Sequence, residues 1–192
     1  MTTNALVLET IVRRSGRHVS RTRLLKLAYM ADLIAWRVLG APISRFNYHW
    51  HHHGPFDGEF YCAMEELASA RRVTLDSLTT NEGHDCVLVC AATAPPSPQA
   101  SHFTRGQIHI LDYAIKQYLG LPLKDLLAVV YETEPMKSAE RNDPLPMEAQ
   151  RNRDKDDLGG ICLETVLESR EQFARGEHVT LEALKSEFAG RE

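Results

Sequence analysis

Three histidines spaced two apart, His49, His51 and His53, are the residues of this sequence best placed to bind a metal. On an extended strand they would share one face at intervals of about 6.7 Å, and an H-x-H pair so placed can hold one zinc ion. A catalytic zinc also needs a third ligand in reach, a general base and an open coordination position. His53 lies too far from His49 to close such a site without a bend, and no motif fixes an Asp or Glu beside them. Imidazoles facing solvent or a partner are therefore expected, with no metal and no cofactor. The cysteines offer a second possibility. Cys86 and Cys90 are spaced C-x-x-x-C, but HDCVLVCAA reads as a strand. A strand sets their α-carbons about 13 Å apart, beyond the roughly 7 Å reach of a disulfide. Cys86 and Cys90 are therefore expected as small core residues, and together with Cys62 and Cys162 they show no framework spacing. The sequence holds no nucleophile elbow, phosphate loop or dinucleotide fingerprint. It reads as a protein that is not an enzyme.

Composition narrows the class further. A chain of 192 residues that is 43% hydrophobic can bury an ordinary core in one domain and carry an appendage. Its start, MTTNALVLETIVRRSG, has neither a long apolar run nor a small-residue cleavage site, and nowhere do about 18 apolar residues follow one another. A soluble, cytoplasmic protein with no membrane partner is expected. Residues 1–56 hold Arg13, Arg14, Arg17, Arg21, Arg23, Lys26, Arg37 and Arg45 against Glu9 and Asp32, a balance of +6 that leaves −10 for the rest of a chain with net charge −4. Such a split suits a nucleic-acid face, an acidic partner or a solvated helix face, and charge alone does not choose among them.

Periodicity supplies the elements. A first short helix follows Asn4 as N-cap, carries Leu8, Ile11 and Val12 on one side, and stops at Ser15-Gly16. A second follows Ser20 and ends at Gly40. Its Leu24, Leu27, Ala28, Ala31, Ile34, Ala35 and Val38 form one apolar stripe, and Leu25, Tyr29, Leu33 and Trp36 form another, so it must be covered on two sides as the central core helix. From Phe46 to Trp50 the period changes to two, with Phe46, Tyr48 and Trp50 on one face and the histidines on the other. Gly54-Pro55 then ends the strand as a turn, and Asp57 caps a helix through Phe60, Tyr61, Met64, Leu67 and Ala68. Val73–Leu78 and Cys86–Ala91 form a hairpin around TTNEGHD, and APPSPQ is a connector. Thr104 and Gln107 fit a capping box for a helix ending at Gly120, and another runs from Pro122 to about Glu132. The charged, proline-rich stretch from Met136 to Gly160 is expected to be loop or partly disordered. Two short helices, Ile161–Arg175 and Leu181–Phe188, follow. The fold class expected is α+β, mainly helical, with a small antiparallel sheet in the winged-helix-like order α-α-β-α-β-β and further helices behind it.

Three sequence marks stand in order along this frame. KLAYMAD carries Lys26, Leu27, Tyr29, Ala31 and Asp32; Gly54-Pro55 is followed by Glu59 and Tyr61; and ETEPMKSA runs from Glu132 to Ala139. In type, order and spacing they resemble the Panacea domain, the SocA-like antitoxin domain of bacterial and phage toxin–antitoxin systems. The resemblance covers roughly residues 4–145, giving a domain at 1–145 and a charged linker with a helical tail at 146–192. Val130-Tyr131 stands where the family often shows Thr-His, and Met136 where an aromatic is common. The resemblance implies a helical domain with a small sheet, no metal, and an antitoxin that neutralises a cognate toxin protein by direct binding. It implies partner contact at Tyr29, Asp32, Trp50, Gly54, Pro55, Glu59, Tyr61, Glu134 and Pro135. From the residues alone, Gly54-Pro55 also reads as a plain strand-to-helix turn, and Asp32 as a cap or bridge to another element rather than a general base.

A second function fits the same elements. The basic first third and the winged-helix order suit a DNA-binding transcriptional regulator, whose recognition helix should bring basic or amide side chains to base edges. The helix after Gly54 carries Asp57, Glu59, Glu65 and Glu66 instead, and anions there repel phosphate, so nucleic acid is the less favoured partner. In the tail, Phe173, Leu181, Leu184 and Phe188 lie on apolar stripes that either pack on the protein's own core or wrap the toxin.

Overall fold

The computed structural model describes residues 1–79, 85–93 and 103–152. The chain divides into two units, Met1–Arg153 and Asp154–Glu192, and the described residues all belong to the first. Expectations for the connector APPSPQ, for Cys162 and for the tail residues Phe173, Leu181, Leu184 and Phe188 lie outside the described residues.

Helix α1 (Thr3–Ser15) is capped by Thr2, whose side chain accepts from the Ala5 N–H, and it ends at Gly16 in the left-handed conformation. Asn4, expected as that cap, is instead buried inside the first turn, where its Oδ1 accepts from the Arg45 N–H at 2.7 Å. Strand β1 (Val19–Ser20) leads directly into α2 (Arg21–Leu39), with Ser20 as N-cap and Gly40 as left-handed C-cap, as the sequence indicated. Every residue of α2 from Leu24 to Ala35 is buried. The helix packs against α1, β1 and the later elements α4, α5 and β3, so both of its stripes are covered. It is the central core helix.

Next come β2 (His49–His51), β3 (Gly54–Phe56), α3 (Glu59–Ser69), β4 (Val73–Thr79) and β5 (Asp85–Ala91). Helices α4 (Arg105–Tyr118), α5 (Leu123–Tyr131) and α6 (Glu134–Ser138) and a 3₁₀ helix (Met147–Asn152) complete the described chain. The Thr104–Gln107 capping box on α4 is formed in both directions. The fold is α+β and mainly helical.

The strands form two antiparallel sheets, one ordered β1-β5-β4 and the other the pair β2-β3. In the first, Val19 lies opposite Val89 and Leu75 opposite Val89 from the other side. Val19 and Val89 are fully buried and bring this face onto the core. A short strand after the first helix, which the sequence did not indicate, pairs with the last strand of the hairpin. The second sheet corrects the expected turn. His49 pairs with Phe56, Trp50 with Pro55 and His51 with Gly54, so the chain reverses at His52-His53, and Gly54-Pro55 belongs to a strand. Proline is tolerated because β3 pairs with β2 alone and is an edge, and Trp50, opposite Pro55, turns its own N–H and carbonyl to Asp143 and Asn142 on the other side. Gly54 has a φ of 84°, a left-handed value that favours glycine.

A further correction concerns the stretch after Met136. Part of the expected loop is woven into the domain: Trp50 donates to the Asp143 carbonyl at 2.9 Å, Asn142 to Trp50 at 2.8 Å and Leu145 to Tyr48 at 2.8 Å. Leu145, Met147 and Gln150 are buried, and Gln150 Oε1 accepts from the Arg37 guanidinium. The packed domain therefore runs past residue 145. Among the described residues, no helix is long and apolar enough to cross a membrane.

Candidate functional site

The three sequence marks meet in space, and they do so by holding one another. Lys26 sits on the buried side of α2, only 2% exposed, and its Nζ donates to the Pro55 carbonyl at 2.5 Å. Burial, which disfavours the charged form, lowers its pKa from 10.5 to about 7. The methylene end of Lys26 and the Val130 side chain also close over Gly54, leaving ordinary van der Waals room for a Cβ but no relief from the left-handed backbone. One turn along α2, the Tyr29 hydroxyl shares a 2.7 Å hydrogen bond with Thr133 Oγ1 at the start of the EPMKSA segment. Burial raises the Tyr29 pKa. The first mark thus grips the second through an amine and the third through a phenol.

Asp32 is the hub of a buried network. Its Oδ1 accepts from the Ile43 and Ser44 N–H groups at 2.8 Å each, and its Oδ2 accepts from the Ser44 hydroxyl and, at 2.8 Å, from the Tyr48 hydroxyl. Burial pushes the carboxyl upward while these donors oppose the shift. The Tyr48 hydroxyl, buried beside that carboxyl, is raised well above its ordinary value. Asp32 bridges α2 to the strand-forming segment, as its apolar surroundings suggested.

Tyr29, Asp32, Gly54, Pro55 and Pro135 are all buried. They position the fold and are closed to direct contact from outside. Trp50 and Glu134 are half-buried, and Glu59 and Tyr61 are exposed. Tyr61 stands 52% open to solvent with the Arg21 guanidinium 5.7 Å above its ring and Phe56 at 5.8 Å. These three residues line a cleft of about 1150 Å³ whose walls also include Lys26, the His51–His53 turn and Leu123. Sequence reasoning found Tyr61 and missed Arg21 and Phe56. Phe56 was hidden behind the turn reading of Gly54-Pro55, and Arg21 by its place in a run of basic residues.

The histidines stand as expected on the open face of β2 and its turn, His49, His51 and His53 all exposed. His51 packs against His52 and Phe56, and His49 Nδ1 meets the Asn47 carbonyl. The Arg141 guanidinium beside His52 holds that imidazole below the ordinary histidine range. Cys86 and Cys90, expected in the core, are half-buried instead, and Cys62 is exposed.

Comparison of the chain with protein-family models, with curated proteins and with solved structures finds no match in any of the three.

The basic first third is largely engaged within the domain. Arg13 and Arg72 share the buried Glu9 carboxylate, and Arg14 pairs with Asp112. Arg17 and Arg23 both donate to the Leu119 carbonyl, at 2.6 and 2.9 Å, and Arg23 also reaches the Leu121 carbonyl. Two guanidinium groups there meet the negative end of the α4 dipole. Helix α3 turns Glu59, Tyr61, Cys62, Glu65 and Ser69 outward.

Proposed function

We propose that this chain is a cytoplasmic, Panacea-like antitoxin that neutralises a cognate toxin by binding it, without catalysis of its own. The observation that carries this reading is the Arg21–Tyr61–Phe56 group at the mouth of the cleft. Aromatic and arginine side chains dominate the energetics of protein interfaces, especially when they are held rigidly before binding. Here the family-like marks supply that rigidity: Lys26 fixes the β3 strand that carries Phe56, and α3 presents Tyr61 beside it.

The test is affinity for the toxin encoded beside this protein. Tyr61→Ala and Arg21→Ala should each weaken the complex by roughly ten- to a hundredfold at unchanged melting temperature, as expected for hot-spot residues. Affinities equal to wild type in both variants would remove the cleft from the interface.

A second reading, a winged-helix DNA-binding regulator, draws support from the β1-β5-β4 strand order. The carboxylates on α3 and the internal use of Arg13, Arg14, Arg17 and Arg23 weigh against it, because phosphate contact needs free cations. Tight, salt-dependent binding to its own promoter fragment would favour this reading instead.

A further inference from the structure

We propose that His18, Asp76 and Cys90 form a zinc-binding site on the outer face of the three-stranded sheet, apart from the histidine run and from the cleft. The sheet register builds it. Thr74 lies opposite Cys90 and Asp76 opposite Leu88, so Asp76 and Cys90 are diagonal neighbours on one face. On the other side of β5, Ser20 also lies opposite Leu88, and His18, two residues before Ser20 and one before β1, continues that register toward Cys90. Cys90 is thus flanked by a carboxylate from β4 and an imidazole from the α1–β1 turn. One donor atom from each lies within 4.8 Å of the other two, and Cys90 Sγ is 3.8 Å from Asp76 Oδ2.

The chemistry of the set selects the ion. Thiolate, imidazole and carboxylate together suit a borderline-soft divalent cation that accepts tetrahedral coordination, which is zinc, whereas magnesium and calcium require oxygen ligands throughout. With bonds of about 2.0–2.3 Å, tetrahedral ligands stand about 3.5 Å apart, so the donors need to close by about 1 Å. His18 and Asp76 are exposed and free to make that movement, while the half-buried Cys90 stays anchored in the sheet. A water completes the coordination. The site ties the turn after α1 to the hairpin, so zinc should stabilise the wing against the helical core. Sequence spacing could not show it, because the three residues are brought together by strand pairing alone.

Cobalt(II), which occupies zinc sites and reports thiolate ligation by near-ultraviolet absorption, is the probe. The untagged full-length protein in a non-chelating reducing buffer should bind one equivalent with that absorption, and zinc should displace it. Cys90→Ser should abolish the thiolate band. His18→Ala and Asp76→Ala should each weaken binding by about tenfold or more, while the double variant His51→Ala/His53→Ala should bind as wild type. Circular dichroism of each variant confirms that the sheet is retained. A protein with no thiolate band, a band that survives in Cys90→Ser, or an affinity indifferent to His18→Ala would overturn the proposal.

Discussion

Lys26 shows how a single buried residue can give the domain a pH signature. Its folded pKa of about 7 lies below the ordinary 10.5, so between these values the unfolded chain binds a proton that the folded chain has released. Below pH 7 both states are protonated and the burial penalty is complete; above it, stability rises with pH. Raising the pH from 7 to 9 should therefore stabilise wild type by about 2 kcal/mol relative to Lys26→Met, read from urea midpoints of the two proteins. Parallel pH profiles would show that the amine is solvated. Asp32 tests the neighbouring network. Asp32→Ala leaves the Ile43 and Ser44 N–H groups and the Tyr48 hydroxyl without their acceptor, and a buried orphan donor costs about 1–3 kcal/mol. A loss on the order of 3 kcal/mol or more is expected in chemical denaturation, and a loss under about 1 kcal/mol would show that water reaches the site. Asp32 stood out in the sequence as a charge among apolar neighbours, and Lys26 and Pro55 as parts of separate marks. The pairings Lys26–Pro55 and Asp32–Tyr48 did not, because nothing local links positions that only folding brings together.

At the scale of elements, legibility followed the strength of the local signal. Helix α2 was readable because two apolar stripes at helical period demand burial on both sides, and α4 because Thr104 and Gln107 satisfy each other's backbone N–H groups. Strand β1 was not, since a strand of two residues, the second of them the N-cap of α2, carries no period. Strand β3 was misread because glycine and proline usually end strands, and an edge pair is where that rule relaxes. The 140–150 segment was misread because its composition is polar while its backbone does the pairing with Tyr48 and Trp50. The central place of α2 has a direct test. Leu27 is fully buried, so Leu27→Asp sets an unpaired charge into the core at a cost of several kcal/mol, against a total stability of about 5–15 for a domain. The variant should be largely unfolded by circular dichroism at 37 °C, and a melting temperature within a few degrees of wild type would contradict the packing described.

For the whole molecule, the proposed function turns on how much of the chain would engage a toxin. The first unit ends at Arg153, and residues 158–192 lie beyond it. In the sequence this tail carries Phe173, Leu181, Leu184 and Phe188 behind a charged linker that would allow it to reach a partner. Deleting residues 158–192 should leave thermal melting of the domain unchanged and abolish protection against the toxin. A truncated protein that still protects fully places neutralisation in the cleft alone, and one that unfolds places the tail in the core. The central claim, that this protein acts by capturing a toxin, is tested most directly by expressing the product of the adjacent open reading frame with and without it. The account predicts growth arrest that this protein relieves and a complex of the two that survives affinity purification and gel filtration. A harmless neighbour that fails to bind would contradict it.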